Sequence, residues 1–248
     1  MASMSKNALT IYPAIDLKAG SVVRLRHGRM DDATVYSDDP GKQAVEFAKA
    51  GFCWIHIVDL DGAFAGQSEN GSAANAILSA SDLKIQLGGG IRDMASVELW
   101  MSRGVTRVIL GTAAVRDPEL VRSAARAFPG RIAVGVDAAA NRVKTDGWDG
   151  DTGHTPLEIA RRFEDVGVGA IIYTDIARDG ALTGVNVEAT AALADALSIP
   201  VIASGGVAGA HDVAALARAH DNIEGVIIGR ALYDGRVSAS ATLASAAR

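Results

Sequence analysis

The sequence predicts a closed (β/α)8 barrel of the α/β class, built from two fused half-barrels. Three observations support this fold. Eight short apolar runs are spaced along the 248 residues, helical segments lie between them, and the strand ends of the first half recur in order in the second half. Runs that are almost continuously apolar are typical of strands buried on both faces, as in parallel sheets. Eight such strands alternating with helices fit one barrel domain.

The predicted strands are short and rich in Ile, Val and Ala. In chain order they are IYPAID, CWIHIVDL, KIQLGG, TRVILG, RIAVGVD, GAIIYTDI, PVIASGG and EGVIIGR. The rival arrangement is an open, doubly wound sheet, which would carry a G-x-G-x-x-G turn after its first strand. The segment after the first run, PAIDLKAGS, has no such turn, and this favours the closed barrel.

The segments between the strands have recognisable helix ends. A capping residue followed by proline at the first helical position predicts helix starts at Asp39-Pro40, Asp117-Pro118 and Thr155-Pro156. Glycine in the left-handed position after the last turn predicts helix ends at Gly51, Gly104 and Gly167.

The second half of the chain repeats the first at an offset of 116 to 121 residues. The equivalent pairs are Asp16 and Asp137, Asp59 and Asp175, Gly89-Gly90 and Gly205-Gly206, and Gly111 and Gly229. No low-complexity linker separates the halves. Residues 8–128 and 129–248 are therefore predicted to be the half-barrels of a single domain.

The composition argues against several classes of protein. The net charge is −5 and no basic run is present, which disfavours nucleic-acid binding. No run of about 18 apolar residues exists that would cross a membrane, and the first residues, MASMSKN, lack the apolar core of a secretion signal. The five histidines show no metal-ligand spacing. We therefore expect a cytoplasmic enzyme without a metal or an organic cofactor.

Cys53 is the one cysteine of the chain, so no internal disulfide can form. This fits a reducing compartment. Because Cys53 stands in the apolar run FCWIHIV, we expect a buried, inert thiol.

The doubled glycines predict two phosphate sites. In this fold the site lies at the C-terminal ends of the strands, and phosphate usually binds the loops after strands seven and eight. Glycine lets a ligand approach the backbone closely, and a following helix start presents free N–H groups to an anion. The repeat places equivalent loops after strands three and four, which predicts a substrate with a phosphate at each end. The predicted phosphate-binding residues are Gly90, Gly111, Thr112, Gly205, Gly206, Gly229 and Arg230. The alternative is that these glycines only allow sharp turns.

Asp16 ends the first predicted strand and Asp137 ends the fifth. A separation of four strands in an eight-stranded ring places the two carboxylates on opposite walls of the barrel. A carboxylate that ends an apolar run at the catalytic face indicates acid/base chemistry. The alternative for each is a helix cap or a salt bridge within a loop.

Other residues near the strand ends have two possible roles each. Thr174 either donates a hydrogen bond into the site or fills a strand end, and Trp148 either stacks on a substrate ring or packs its loop. His56, inside a strand, is expected to be a satisfied histidine of the core or of the layer behind the site. Asp175 is a further candidate for substrate binding. With Asp175, three more acids follow strands two and six, and several of the four are expected to hold loops or orient other groups: Asp59, Asp61 and Asp179.

The chain resembles the phosphoribosylformimino-aminoimidazole carboxamide ribotide isomerases of histidine biosynthesis. The motifs are PAIDLKAGSVVRL, WIHIVDLDGA, QLGGGIRD, VILGTAAV, KTDGW, YTDIARDGALTGVN, IASGGV and GVIIGRALYDG. The segment after Asp137, DAAANRV, departs from the family pattern. The resemblance implies a monomeric TIM barrel that performs an Amadori rearrangement of a bis-phosphorylated aminoaldose ribotide without a cofactor. It implies that Asp16 is the general base and Asp137 the general acid, with Asp175 as the alternative acid.

Three other functions are considered. One is the related cyclase that makes imidazole glycerol phosphate together with a glutaminase. A second is a bifunctional isomerase that also accepts phosphoribosylanthranilate. The third is a catalytically silent phosphate-binding module, against which Asp16 and Asp137 argue, because a binder of dianions has no use for carboxylates at its mouth.

Overall fold

The structure, a computed structural model, describes residues 8–26 and 29–248. Residues 1–7, on which the expectation of no secretion signal rests, lie outside the described residues. The strands are β1 (Thr10–Lys18), β2 (Ser21–Arg26), β3 (Arg29–Ser37), β4 (Trp54–Asp59), β5 (Lys84–Gly88), β6 (Arg107–Leu110), β7 (Ile132–Ala139), β8 (Arg142–Thr145), β9 (Gly150–Asp151), β10 (Ala170–Asp175), β11 (Val201–Ser204) and β12 (Ile223–Ile228).

Eight of these strands close into a parallel barrel. The order around the ring is β1, β4, β5, β6, β7, β10, β11, β12 and back to β1. Each of the eight contains most of one predicted apolar run. The (β/α)8 barrel is therefore confirmed and the open sheet is excluded, because β12 pairs with β1. Both predicted halves contribute to this one closed sheet, and their origin by duplication stays a prediction.

Helices cover the outside of the barrel. They are α1 (Pro40–Lys49), α2 (Leu60–Ala65), α3 (Gly71–Ala80), α4 (Met94–Ser102), α5 (Thr112–Arg116), α6 (Pro118–Ala127), α7 (Pro156–Arg161), α8 (Val187–Asp195), α9 (Ala210–Ala219), α10 (Arg230–Tyr233) and α11 (Ala239–Ser245). The three predicted starts are confirmed, since Asp39, Asp117 and Thr155 each cap a helix that begins with proline. The three predicted glycines after helical segments have positive φ, as expected.

Two hairpins that the strand pattern did not predict stand beside the barrel strands. The chain leaves β1 and returns as β2, antiparallel to β1, with Asp16 opposite Val23. It leaves β7 and returns in the same way as β8, with Ala138 opposite Val143. These hairpins matter for function, because they fold residues back over the ends of the two strands that carry Asp16 and Asp137.

The hydrophobic core has two parts. The larger part lies between the sheet and the helices. The smaller part fills the barrel and consists of Tyr12, Ala14, Ile109, Ala133, Ala170, Ile172, Ile202 and Ile227. This inner layer closes the barrel below the strand ends and gives the site above it a solid floor.

The expectation of a buried Cys53 was wrong, because its side chain is exposed. Cys53 precedes the first residue of β4 and lies on the loop that enters the strand, so the apolar run extends one residue further than the buried strand. Among the described residues, none of the helices is both long enough and apolar enough to cross a membrane.

Candidate active site

A cavity of about 250 Å³ opens at the C-terminal end of the barrel. Each barrel strand contributes to its wall. The residues at the strand ends are Asp16, Val58, Gly88, Gly111, Asp137, Thr174, Ser204 and Gly229. A site built from the ends of all the strands is what the barrel fold provides.

Asp16 lies at one side of this cavity and forms an ion pair with Arg24. Asp16 Oδ2 is 2.9 Å from Arg24 Nη1, and both residues are less than 10% exposed. The first hairpin brings the two together, since β2 runs antiparallel to the end of β1. Burial raises the pKa of the Asp16 carboxyl above its ordinary value, and the Arg24 guanidinium opposes that rise.

Arg24 also joins Asp16 to the loop after the last barrel strand. A side chain at Gly229 would overlap the Arg24 guanidinium, so Gly229 is needed for this contact. Arg24 Nε is buried and has no hydrogen-bond partner among the described residues. Arg24 was not predicted as a site residue. Its position in the motif SVVRL gives no sign that the chain turns back to place it beside Asp16.

Asp137 lies across the ring from Asp16 and has no such cation among the residues that the structure describes. Its Oδ2 accepts a hydrogen bond of 2.8 Å from Trp148 Nε1. Thr174 is its neighbour in the register of β7 and β10. Burial raises the pKa of the Asp137 carboxyl, while hydrogen bonds from Trp148 and Thr174 oppose the rise. The structure thus brings together Asp137, Thr174 and Trp148, which the sequence had suggested separately.

The loop that carries Trp148 has an unusual backbone. Asp146, Gly147 and Trp148 have φ values of 55°, 66° and 81° in succession. Left-handed conformation is rare for a bulky residue and costs free energy of order 1–3 kcal/mol. The surroundings hold the loop in place: Asp146 N donates to Thr112 Oγ1 over 2.9 Å, and Gly147 packs against the ring of Phe64. In this structure Trp148 serves as a hydrogen-bond donor to a carboxylate.

The two Gly-Gly turns have matching geometry. A Cβ at Gly90 would lie 2.6 Å from Gln67 O, and a Cβ at Gly206 would lie 2.5 Å from Gly184 O. Both residues have positive φ, 75° and 92°. The conformation of the turns therefore requires these glycines. Both also line the cavity, together with Gly89 and Gly205.

The loops after β6 and β12 match in the same way. Gly111 has φ −98° and ψ −91°, and Gly229 has φ −101° and ψ −106°. Neither α5 nor α10 has a side-chain cap on its first turn. Thr112 and Arg230 follow these glycines and line the cavity. Arg230 Nε is 2.8 Å from Asp234 Oδ2, and its Nη1 donates to Gly180 O over 3.2 Å.

Asp175 is not among the residues that line this cavity, and its role in substrate binding stays a prediction. Its carboxylate accepts hydrogen bonds from Asn186 Nδ2 at 2.8 Å and from the backbone N–H of Ala177 at 3.2 Å. Its side chain therefore holds the loop after β10. The equivalent residue of the first half, Asp59, binds its own loop in the same manner.

Asp179 takes the place expected for Asp175. It lines the cavity, and burial raises its pKa to about 6, an effect that Arg24 opposes and that the nearby charges of Asp16 and Asp137 reinforce. Asp179 was one of the four acids of which several were expected to hold loops or orient other groups. The repeat pointed to Asp175, because Asp175 is the equivalent of Asp59 in the first half.

His56 also lines the cavity, with its Nδ1 3.1 Å from Gln86 Nε2. His56 thus lies at the floor of the site, and Nδ1 is the ring nitrogen that has a partner among the described residues. Within residues 8–26 and 29–248, no group of His, Cys, Asp and Glu side chains is arranged to hold a metal ion.

Comparisons with known proteins give consistent results. A family model described as "Histidine biosynthesis protein" matches residues 10–238. The chain is 59% identical over 236 residues to the 1-(5-phosphoribosyl)-5-((5-phosphoribosylamino)methylideneamino)imidazole-4-carboxamide isomerase of Granulibacter bethesdensis, which covers 94% of this chain and 96% of that protein. It is also 59% identical to the protein of the same name from Acidiphilium cryptum, over 97% of this chain and 99% of that protein.

Proposed function

This chain belongs to the histidine biosynthesis protein family and is a ribotide isomerase of that pathway, and we propose that Asp16 is its general base and Asp137 its general acid. One observation carries this assignment. Asp16 and Asp137 lie near the C-terminal ends of strands four apart in the ring and line a single cavity, which two matching pairs of glycine loops flank.

The reaction converts an aminoaldose into an aminoketose. The acid donates a proton to the ring oxygen of the ribosylamine, the bond between C1 and that oxygen breaks with its electrons going to the oxygen, and the lone pair of the amine nitrogen forms the iminium. The base then removes the proton from C2, and the resulting enol amine is reprotonated at C1 and becomes the ketone at C2. C1 is reduced and C2 is oxidised within one molecule, so the electrons balance. The substrate nitrogen accepts the electron pair, and we propose that no cofactor takes part.

The surroundings of Asp16 suit a base. A base must be ionised before it accepts a proton, and the Arg24 guanidinium at 2.9 Å favours the charged carboxylate. The surroundings of Asp137 suit an acid better, because its partners are the neutral groups of Trp148 and Thr174 and burial raises its pKa. Two carboxylates in environments that differ in this way can take opposite roles in one turnover.

Asp179 is the second candidate for the acid. It lies in the same cavity and its pKa is raised to about 6, so it retains a proton at higher pH than an ordinary aspartate does. It replaces Asp175 as the alternative, because the Asp175 carboxylate is engaged by Asn186.

We propose that the substrate spans the mouth between two phosphate sites. One consists of the loops with Gly90 and Gly111–Thr112, and the other of the loops with Gly205–Gly206 and Gly229–Arg230. The matching dihedral angles of Gly111 and Gly229 support equivalent roles. Backbone N–H groups at such turns bind anions, and Arg230 adds a cation on one side. We further propose a monomeric, cytoplasmic enzyme.

Assay of the purified protein on the bis-phosphorylated aminoaldose tests this function. We expect isomerisation by the wild type and its loss in both Asp16→Asn and Asp137→Asn. Parallel assays on phosphoribosylanthranilate test the narrow specificity that we propose, and turnover there would contradict it. Full activity in either variant would overturn the role of that carboxylate.

A further inference from the structure

A row of polar side chains crosses the inside of the barrel below the catalytic carboxylates. His56, Gln86 and Arg107 are direct cross-strand neighbours on β4, β5 and β6. All three are buried, and Gln86 has no exposed surface. Gln86 hydrogen-bonds on one side to His56 and on the other to Arg107. The other side chains that fill the barrel are mostly aliphatic, so a buried polar row among them needs a physical reason.

Arg107 is fixed at the bottom of this row. Its Nη1 is 3.1 Å from Glu224 Oε1 and 3.4 Å from Tyr12 Oη, and its guanidinium lies over the ring of Trp54. Tyr12 Oη also donates to Glu224. With these partners on several sides, Arg107 holds a single orientation and presents Nη1 to Gln86 at 3.4 Å.

This arrangement determines which way the Gln86 amide points. An arginine side chain only donates hydrogen bonds, so the amide atom that faces Arg107 has to be the oxygen Oε1. The amide nitrogen then faces His56 Nδ1 at 3.1 Å. An amide N–H can only donate, so Nδ1 is the acceptor and carries no proton. The proton of a neutral His56 ring is therefore on Nε2.

The His56 ring stays neutral in this setting. Burial lowers its pKa to about 3, and the Arg24 guanidinium nearby acts in the same direction. Nε2 has no hydrogen-bond partner among the described residues, and the residue lines the cavity that contains Asp16 and Asp137.

We propose that His56 presents its Nε2–H to an oxygen of the bound substrate as a fixed hydrogen-bond donor, and that Gln86, held by Arg107, is the positioning residue that sets this tautomer. The role rests on the proposed function, because the oxygen belongs to the ribose chain that opens and becomes the ketose. A neutral donor polarises an oxygen without releasing a proton. It therefore assists the enol and ketone stages without competing with the two carboxylates for protons.

Nitrogen NMR of the full-length protein labelled at histidine tests the tautomer directly. Long-range proton–nitrogen spectra distinguish the two neutral tautomers and the cation, and the His56→Asn variant identifies the His56 signals by their loss. We expect a neutral ring protonated on Nε2 from about pH 6 to pH 8. A proton on Nδ1, or on both nitrogens, would overturn the proposal.

Addition of the aminoketose product tests the contact with the ligand. We expect the His56 Nε2–H signal to shift on binding. Binding that calorimetry detects while this signal is unchanged would refute the contact. Failure of the product to bind at all would instead count against the proposed function, and the tautomer measurement would still decide the role of Gln86.

The Gln86→Glu variant tests the positioning role. A carboxylate at this place only accepts, so the His56 proton should move to Nδ1 and kcat/KM should fall about tenfold, the size expected for one lost hydrogen bond. Gln43→Glu on α1 is the matched control and should change neither quantity. A proton on Nδ1 together with an unchanged kcat/KM would contradict the proposal. If the variant does not fold, the wild-type NMR spectrum still tests the tautomer of His56.

Discussion

Asp16 and Arg24 form a buried ion pair, with 2.9 Å between Oδ2 and Nη1. Asp137, in the same cavity, accepts instead from the neutral indole of Trp148 at 2.8 Å. The two carboxylates occupy equivalent places at the ends of β1 and β7 but have different partners. This difference in partners underlies the assignment of Asp16 as base and Asp137 as acid.

The Asp16→Asn variant should bind substrate and lose turnover. The amide keeps the shape of the carboxylate but cannot take the proton from C2, so kcat should fall by about 10²–10⁴-fold, the usual contribution of one acid/base group. Stopped-flow or steady-state assays give kcat, and calorimetry with the product gives the affinity. A variant that turns over at the wild-type rate would exclude Asp16 as the base.

The Trp148→Phe variant should shift the pH dependence of kcat/KM. The indole hydrogen bond favours the charged form of Asp137, so its removal raises the pKa of that carboxyl. An acid is active while protonated, and its activity is lost as pH rises through its pKa. The descending limb of kcat/KM against pH should therefore shift to higher pH. Trp100 is a buried tryptophan outside the cavity, so Trp100→Phe is the control and should not change the pH of the descending limb of kcat/KM. A shift to lower pH in Trp148→Phe would contradict Asp137 as the acid.

Asp179 should titrate near pH 6 in the free enzyme. Burial raises its pKa to about 6, and the charge of Asp137 is one contributor. In Asp137→Asn that charge is absent, so the pKa of Asp179 should fall. Carbon NMR of labelled aspartate side chains measures it. Asp165→Asn, at an exposed position, is the control. An unchanged pKa of Asp179 in Asp137→Asn would show that the two carboxylates do not interact.

Arg230→Gln should weaken substrate binding more than turnover. Arg230 lines the cavity beside Gly229, and a hydrogen bond to a charged group contributes about 1.5–3 kcal/mol, so KM should rise about 10–100-fold while kcat changes little. Arg161→Gln on α7 is a control at an exposed arginine and should leave KM unchanged.

Crystals grown with phosphate should show anions at both pairs of glycine loops. A phosphate at only one loop under saturating conditions would count against the doubled site.

Much of the fold follows from local patterns in the sequence. The barrel strands are apolar on both faces, so their composition marks them, and Asp39, Asp117 and Thr155 reveal helix starts by chemistry that acts within one turn. Asp16 and Asp137 were predictable because each directly follows an apolar run at the end where this fold places its site.

The other site residues depend on contacts between distant parts of the chain. Arg24 reaches Asp16 only because β2 folds back on β1, and no local pattern indicates that return. Asp179 lies on the loop four residues after Asp175, the last residue of β10, and the loop conformation decides which of them faces the cavity. The row from His56 to Arg107 requires the register of three strands, which the sequence alone does not specify.

The assignment of the two roles is tested most directly by the Asp137→Asn variant with a substrate analogue whose ribose ring is already open. Such an analogue needs no proton at the ring oxygen, so it should recover a large part of the wild-type rate in Asp137→Asn while remaining inert in Asp16→Asn. If Asp137→Asn is as slow on the open analogue as on the closed substrate, Asp137 is not the acid for ring opening. Asp179, the other carboxylate in the cavity with a raised pKa, would then take that role.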